Sequence, residues 1–244
     1  FRAAFVDTNP LTDYTLPFVS LFAGRKVDRL LRGAYGEIDI EDLPRPFFCT
    51  AANLTTGHTE VMQRGRLWRR LRASISLPGI LPPVLAGGQV LVDGGVMDNL
   101  PVDIMRGQGS GTVIGVDIET AGAIAAGEGV ETPWSAWEFV RRLVWRREET
   151  LPLPSIVKIL LRSALVSSDF ETTRQRMAAD FVFRPPAASI DLLDWQAMAG
   201  AIEIGYRYAS ESIGKELADN PDGVLAGCLR GKANDAQTEG RIAL

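Results

Sequence analysis

The sequence holds one histidine, His58, and two cysteines, Cys49 and Cys228, and each scarcity removes a class of chemistry. A single imidazole excludes a His-rich metal centre, and any Ser-His-Asp triad would have to run through His58. Two cysteines so far apart make neither a CxxC motif nor a disulfide framework, so both read as reduced thiols, with Cys49 a buried small hydrophobe. No apolar run approaches the roughly 20 residues that cross a bilayer. The best stretch, Ile156 to Leu161 with Ala164 to Val166, is broken by Lys158 and Arg162 and reads as a core helix. Lys+Arg 26 against Asp+Glu 30 leaves a net charge of -4, without the basic excess of a nucleic-acid binder. The opening residues lack a signal-peptide pattern. Phe1 in place of Met suggests a start inside a longer reading frame.

What is present fits a cytoplasmic globular protein. Hydrophobic residues make up 46% and charged residues 23%, and 244 residues suffice for one large domain or two small ones. Leu21, Val27, Leu30 and Leu31 predict a helix over much of Pro17 to Tyr35, ending near Gly33 or Gly36. Phe47 to Leu54 reads as a buried strand entering the turn Thr55-Thr56-Gly57, with Glu60 to Gln63 as a hairpin partner. Leu67, Leu71 and Ile75 predict a helix that Pro78-Gly79 stops. Val90 to Val92 is a strand running into Asp93-Gly94-Gly95. Pro101 starts a short helix stopping near Gly107. Thr112 to Ile118 and Phe181 to Phe183 read as strands, and Gly122 to Gly129 as a loop. Trp134 to Glu149, Pro154 to Ala178 and Asp194 to Leu217 read as helices. Strands alternating with helices imply an α/β protein with a largely parallel sheet. Residues 221–244 turn to Gly, Asp, Asn and Lys and read as a flexible tail.

The chemistry concentrates in Arg72 to Pro101, RASISLPGILPPVLAGGQVLVDGGVMDNLP. A strand delivers the Asp93 carboxylate at its C-terminal end, where ligands sit in open α/β sheets. Gly94 and Gly95 then allow positive φ and close approach of another group. Such a carboxylate can act as a base, orient a partner or bind a cation. Taken alone, Asp-Gly-Gly is also an ordinary turn.

The surrounding pattern decides between these readings. RASISLPGILPPV, a strand, then DGGVMDNLPV resembles the patatin-like phospholipases, in which the last core strand ends in a DGG or DGA motif. Similar segments of the neuropathy-target-esterase branch extend the resemblance over roughly residues 10–218. They are LPFVSLFAGRKVDRLL, DLPRPFFCTAANLTTG, GRLWRRLRASISLPGILPP, VKILLRSALVSSDFETTRQRMAADFVFRPP and IEIGYRYASESI. The resemblance implies a three-layer α/β/α hydrolase fold over residues 1–220, N-terminally truncated. It also implies hydrolysis of phospholipid or lysophospholipid acyl esters by a Ser-Asp dyad, without cofactor or metal. It assigns Asp93 as the dyad's proton acceptor, within the motif Asp93, Gly94 and Gly95. The family's G-x-S-x-G nucleophile elbow precedes the matched region, and the sequence contains no G-x-S-x-G. The chain by itself is therefore expected to be inert, and a non-catalytic interaction module is the alternative.

Other candidates carry two readings each. His58 precedes Asp93, against the acid-then-histidine order of α/β-hydrolases, which argues against a triad base. Arg64, Arg66, Arg69, Arg70 and Arg72 around Trp68 suit phospholipid headgroups, or more simply a solvated helix face paired with Glu and Asp. Trp134, Trp137, Val140 and Val144 suit a membrane interface or packing on a sheet, so peripheral membrane contact stays open. Ser74 and Ser76 are expected to pack or cap. Asp103, Asp117 and Glu119 match no metal cage with Asp93.

Overall fold

The computed structural model describes residues 11, 13–15, 19–109, 111–118, 156–187, 190 and 195–230. The expected loop Gly122 to Gly129, the helix Trp134 to Glu149, Glu119 and residues 231–244 lie outside the described residues.

Helix α1 spans Arg25–Tyr35. Val27 and Leu31, one turn apart, bury against Phe22, Ile80 and Leu81, while Arg25, Arg29 and Arg32 stay exposed. The helix starts later than the apolar spacing suggests, because Ser20 and Phe22 are extended and bridge to Gly79 and Tyr14. Strands β1 (Cys49–Asn53) and β2 (His58–Met62) form the expected hairpin. Its turn is closed by the Asn53 side chain, whose Oδ1 accepts the Thr55 and Thr56 N–H groups at 3.0 and 3.2 Å. Helix α2 follows at Leu67–Ser74.

Next comes a hairpin absent from the sequence expectation, β3 (Val84–Ala86) with β4 (Gln89–Asp93). Gly87 and Gly88 form its two-residue turn with φ 57 and 76, the doubly positive pair that a type I′ connection needs. The sheet order is β2-β1-β4-β3, with every neighbour antiparallel. The expectation of a largely parallel sheet therefore fails for these four strands. The reason is local: two of the three pairings are tight hairpins, and short loops can join only antiparallel neighbours. One face of the sheet packs on α2, joining Cys49, Ala51, Met62 and Leu91 to Ala73.

Helix α3 (Val102–Gly107) leads to β5 (Ile114–Val116), and α4 (Ile156–Ala178) leads to β6 (Phe181–Phe183). Strands β5 and β6 pair in parallel, with α4 between them in sequence as a crossover requires. Both sheet types and their helices make the chain an α/β protein. Helix α5 runs over Met198–Asp219. Within the stretch expected as a tail, residues 224–230 are helical, with Leu225 and Ala226 buried. Two apolar side chains at the start of that helix supply the packing that its polar surroundings conceal.

Candidate active site at the end of strand β4

Strand β4 carries Leu91 and Val92 into the core and ends on Asp93, which stands opposite Ala51 of β1. The main chain fixes this position. Asp93 N–H donates to Ser76 O at 3.0 Å, and Gly95 N–H donates to Asp93 Oδ1 at 2.8 Å. Asp93 thus caps the short 3-10 turn Gly94–Val96. Burial raises the carboxyl to a pKa of about 6, against the opposing pull of the Gly95 N–H. No Lys or Arg among the described residues is ion-paired with it.

The two glycines act through space rather than through φ. Neither is among the residues with positive φ, which corrects half of the sequence argument. A Cβ on Gly94 would stand 2.4 Å from Thr50 Oγ1 and 2.6 Å from Thr50 O. One on Gly95 would stand 3.0 Å from Asp93 Oδ1 and 3.1 Å from Asn99 Oδ1. The chain leaving Asp93 therefore lies close against Thr50 of β1, and Gly95 close against the carboxylate itself.

Arg72 supports this arrangement from behind. It is buried, and donates from Nε to Asp28 Oδ1 at 2.8 Å, from Nη1 to Ser76 Oγ, and from Nη2 to Pro82 O at 3.2 Å. Ser76, fully buried, returns its hydroxyl proton to Arg72 O at 2.7 Å while its carbonyl takes the Asp93 N–H. The expected packing or capping role of Ser76 thus becomes a specific one, a link between α2 and the acid. Asp98, which sequence reasoning passed over, is also buried. Its Oδ1 accepts the Leu100 N–H at 3.0 Å, and burial raises its pKa. The signal was its place before Asn-Leu-Pro, where a short acidic side chain closes a turn.

The remaining candidates separate from Asp93. His58 is exposed and pairs with Asn53, two strands across and two residues along. Strand spacing and rise put its Cα about 12 Å from that of Asp93. Asp117 is buried and paired with Arg176 and Arg184. Asp103 pairs with Arg174 at 3.7 Å. Among the described residues no group of three His, Cys, Asp or Glu is placed to hold a metal ion. Cys49 is buried in the core and unbonded, its thiol pushed up to about 11 by burial. No helix among the described residues is long and apolar enough to cross a membrane.

Comparison with known proteins places this geometry in context. Residues 2–106, which include Asp93, Gly94 and Gly95, match the model of the family described as patatin-like phospholipase. An uncharacterized NTE family protein of Mycobacterium tuberculosis is 35% identical over 205 residues, covering 84% of this chain and 35% of that protein. Lysophospholipase NTE1 of Candida albicans is 31% identical over 203 residues, covering 82% of this chain and 14% of that protein. Patatin-like phospholipase domain-containing protein 6 of Pongo abelii is 30% identical over 212 residues, covering 84% of this chain and 15% of that protein. The chain thus spans between about a seventh and about a third of the length of these relatives.

Proposed function

This chain belongs to the patatin-like phospholipase family, and we propose that Asp93 is the proton acceptor of a Ser-Asp dyad that hydrolyses acyl esters of phospholipids or lysophospholipids. The observation that carries the reading is the state of the carboxyl. It is partly buried, anchored on one oxygen by Gly95 N–H, free of an ion pair among the described residues, and raised to about 6. A carboxylate with the reference value near ~3.9 is a weak base toward a hydroxyl. One near 6 remains mostly ionised at neutral pH yet binds a proton about a hundredfold more tightly.

In the proposed reaction the serine hydroxyl attacks the ester carbonyl while Asp93 takes its proton, forming a tetrahedral oxyanion. Collapse expels the alcohol, which regains that proton from Asp93, and leaves an acyl-serine. Water then attacks the acyl carbon as the same carboxylate takes its proton, and the departing serine oxygen receives that proton as the fatty acid leaves. General-base assistance of this kind contributes roughly 10²–10⁴-fold. The serine comes from a G-x-S-x-G segment that this sequence does not contain, so these 244 residues alone are inert. A second reading, a non-catalytic interaction module, draws on that same absence.

The test is Asp93→Asn in a protein that joins this chain to a G-x-S-x-G segment of the family. Hydrolysis of a short-chain nitrophenyl ester should fall at least a hundredfold with the fold intact. In the parent, the rate should drop as pH falls through about 6, because protonation removes the base. Undiminished turnover after Asp93→Asn refutes the assignment. The 244-residue chain by itself should resist a fluorophosphonate probe, which labels activated serines.

A further inference from the structure

We propose that Arg72 and Ser76 are positioning residues for the dyad acid: the buried guanidinium fixes the Ser76 carbonyl, and that carbonyl fixes Asp93. The inference rests on the reading of Asp93 as proton acceptor and adds the residues that aim it. Pairing of β3 with β4 stops at Val84 opposite Leu91, two residues short of Asp93. On that side of the strand end the partner is Ser76 O, which takes the Asp93 N–H at 3.0 Å. Arg72 Nη1 donates to the Ser76 hydroxyl, which donates in turn to Arg72 O at 2.7 Å. The acid's main chain is thus tied to the last turn of α2 through one peptide carbonyl and one hydroxyl.

Packing alone is a poor account of this arginine. Arg72 is 5% exposed, and a buried guanidinium is costly to desolvate where an apolar side chain would fill the same space. Its carboxylate partner Asp28 is half in water, so the ion pair offsets only part of that cost. What the arginine supplies is direction. Its planar fork reaches Asp28 on α1, Ser76 at the start of the next loop and Pro82 O at the loop's end. One rigid group therefore brackets the loop from Ser76 to Pro82, while Ile80 and Leu81 bury its middle against α1. Space is kept for it as well: a Cβ on Gly24 would stand 2.6 Å from Arg72 Nη2.

Charge is not the means by which Arg72 acts on the acid. Burial raises the Asp93 carboxyl against the pull of the Gly95 N–H, and no cation takes part. Place is what remains. A base must stand within hydrogen-bond reach of the hydroxyl it serves, and a displacement of about 1 Å from a distant change can cost roughly a hundredfold in rate. The Asp28–Arg72–Ser76 chain controls that place from behind the sheet, without touching substrate or the reacting atoms.

The test uses the joined protein and the nitrophenyl ester. Ser76→Ala should lower kcat about 10-fold and Arg72→Met roughly 30-fold with KM unchanged, because only the aim of the base is lost. The double variant should be no slower than Arg72→Met, whereas independent losses would multiply to roughly 300-fold. In both single variants the acid limb of the rate should move down from about 6 by roughly one pH unit, as a loosened carboxylate meets water. Should Arg72→Met fail to fold, Asp28→Asn takes its place in the cycle, since that side chain is 44% exposed. Arg66→Gln, which breaks solvated pairs with Glu37 and Asp39 at the start of the same helix, should keep both kcat and the acid limb. Parent kcat in Ser76→Ala, multiplied losses in the double variant, or an acid limb that stays at about 6 overturns the proposal. Asp93→Asn at the parent rate instead removes the dyad reading itself, so the two failures are distinct.

Discussion

Replacing Asp93 by Asn should make the folded protein more stable at alkaline pH, and the gain should shrink as pH falls. The side chain starts from a value of 3.8 and is raised to about 6 in the fold. A raised carboxyl favours the protonated form in the native state. Its contribution to stability is therefore fully present below about 3.8 and is lost as pH rises through about 6. Linkage puts the cost of the ionised group on the order of 3 kcal/mol near pH 8 and about 1.6 kcal/mol near pH 5. The substituted asparagine keeps an oxygen to accept the Gly95 N–H and does not ionise, so it escapes that cost. Urea unfolding of parent and variant at the two pH values supplies the check. The stability difference, variant minus parent, should grow by about 1.4 kcal/mol between pH 5 and pH 8. A difference that stays constant with pH, or an Asn variant that loses ground as pH rises, would refute the claim that burial raises this carboxyl.

Gly94→Ala should destabilise by roughly 3 kcal/mol, the upper part of the overpacking range, because the new methyl meets the Thr50 main chain rather than a yielding side chain. Gly107→Ala, with nothing within 4 Å, is its control and should be neutral or slightly stabilising in a thermal melt. His58→Gln should leave ester turnover within about twofold of the parent in the joined protein, since its Cα lies about 12 Å from that of the acid. A loss matching that of Asp93→Asn would restore a triad. Cys49 should resist maleimide in the native protein, being buried with its thiol raised to about 11, while the half-buried Cys228 reacts first.

Strong periodicity carried the helices that fall on described residues, and most strands, into the structure. Val27 and Leu31 behave as their spacing suggests, and the run of aromatic and small residues through Cys49 to Asn53 forms its strand, because burial determines both. Direction of pairing was less legible. The alternation of strands and helices pointed to parallel pairing, whereas β4 returns along β3 through Gly87-Gly88, a hairpin signal lying in plain sight between two apolar runs. The place of Asp93 at a strand end was readable, and its register opposite Ala51 was not, because register depends on pairing across 42 residues of chain. The partners of Arg72 were likewise hidden, though its place inside the family-like segment suggested a structural role. A charged residue in a basic cluster looks solvated, and only the fold turns it inward toward Ser76 and Pro82.

The acid's location is specified mostly by main-chain atoms, and this has a consequence for inheritance. Asp93 N–H on the Ser76 carbonyl and Gly95 N–H on the Asp93 carboxylate ask nothing of the side chains at positions 76 and 95 as donors or acceptors. The sites are not free on that account: a Cβ at position 95 would stand 3.0 Å from Asp93 Oδ1, and the buried Ser76 hydroxyl is bonded with Arg72. The codon for Gly94 has less latitude still. Every missense change there introduces a Cβ against Thr50, and all its nearest obstacles belong to that one neighbour. The residue after the carboxylate is therefore the one a lineage is least able to rewrite.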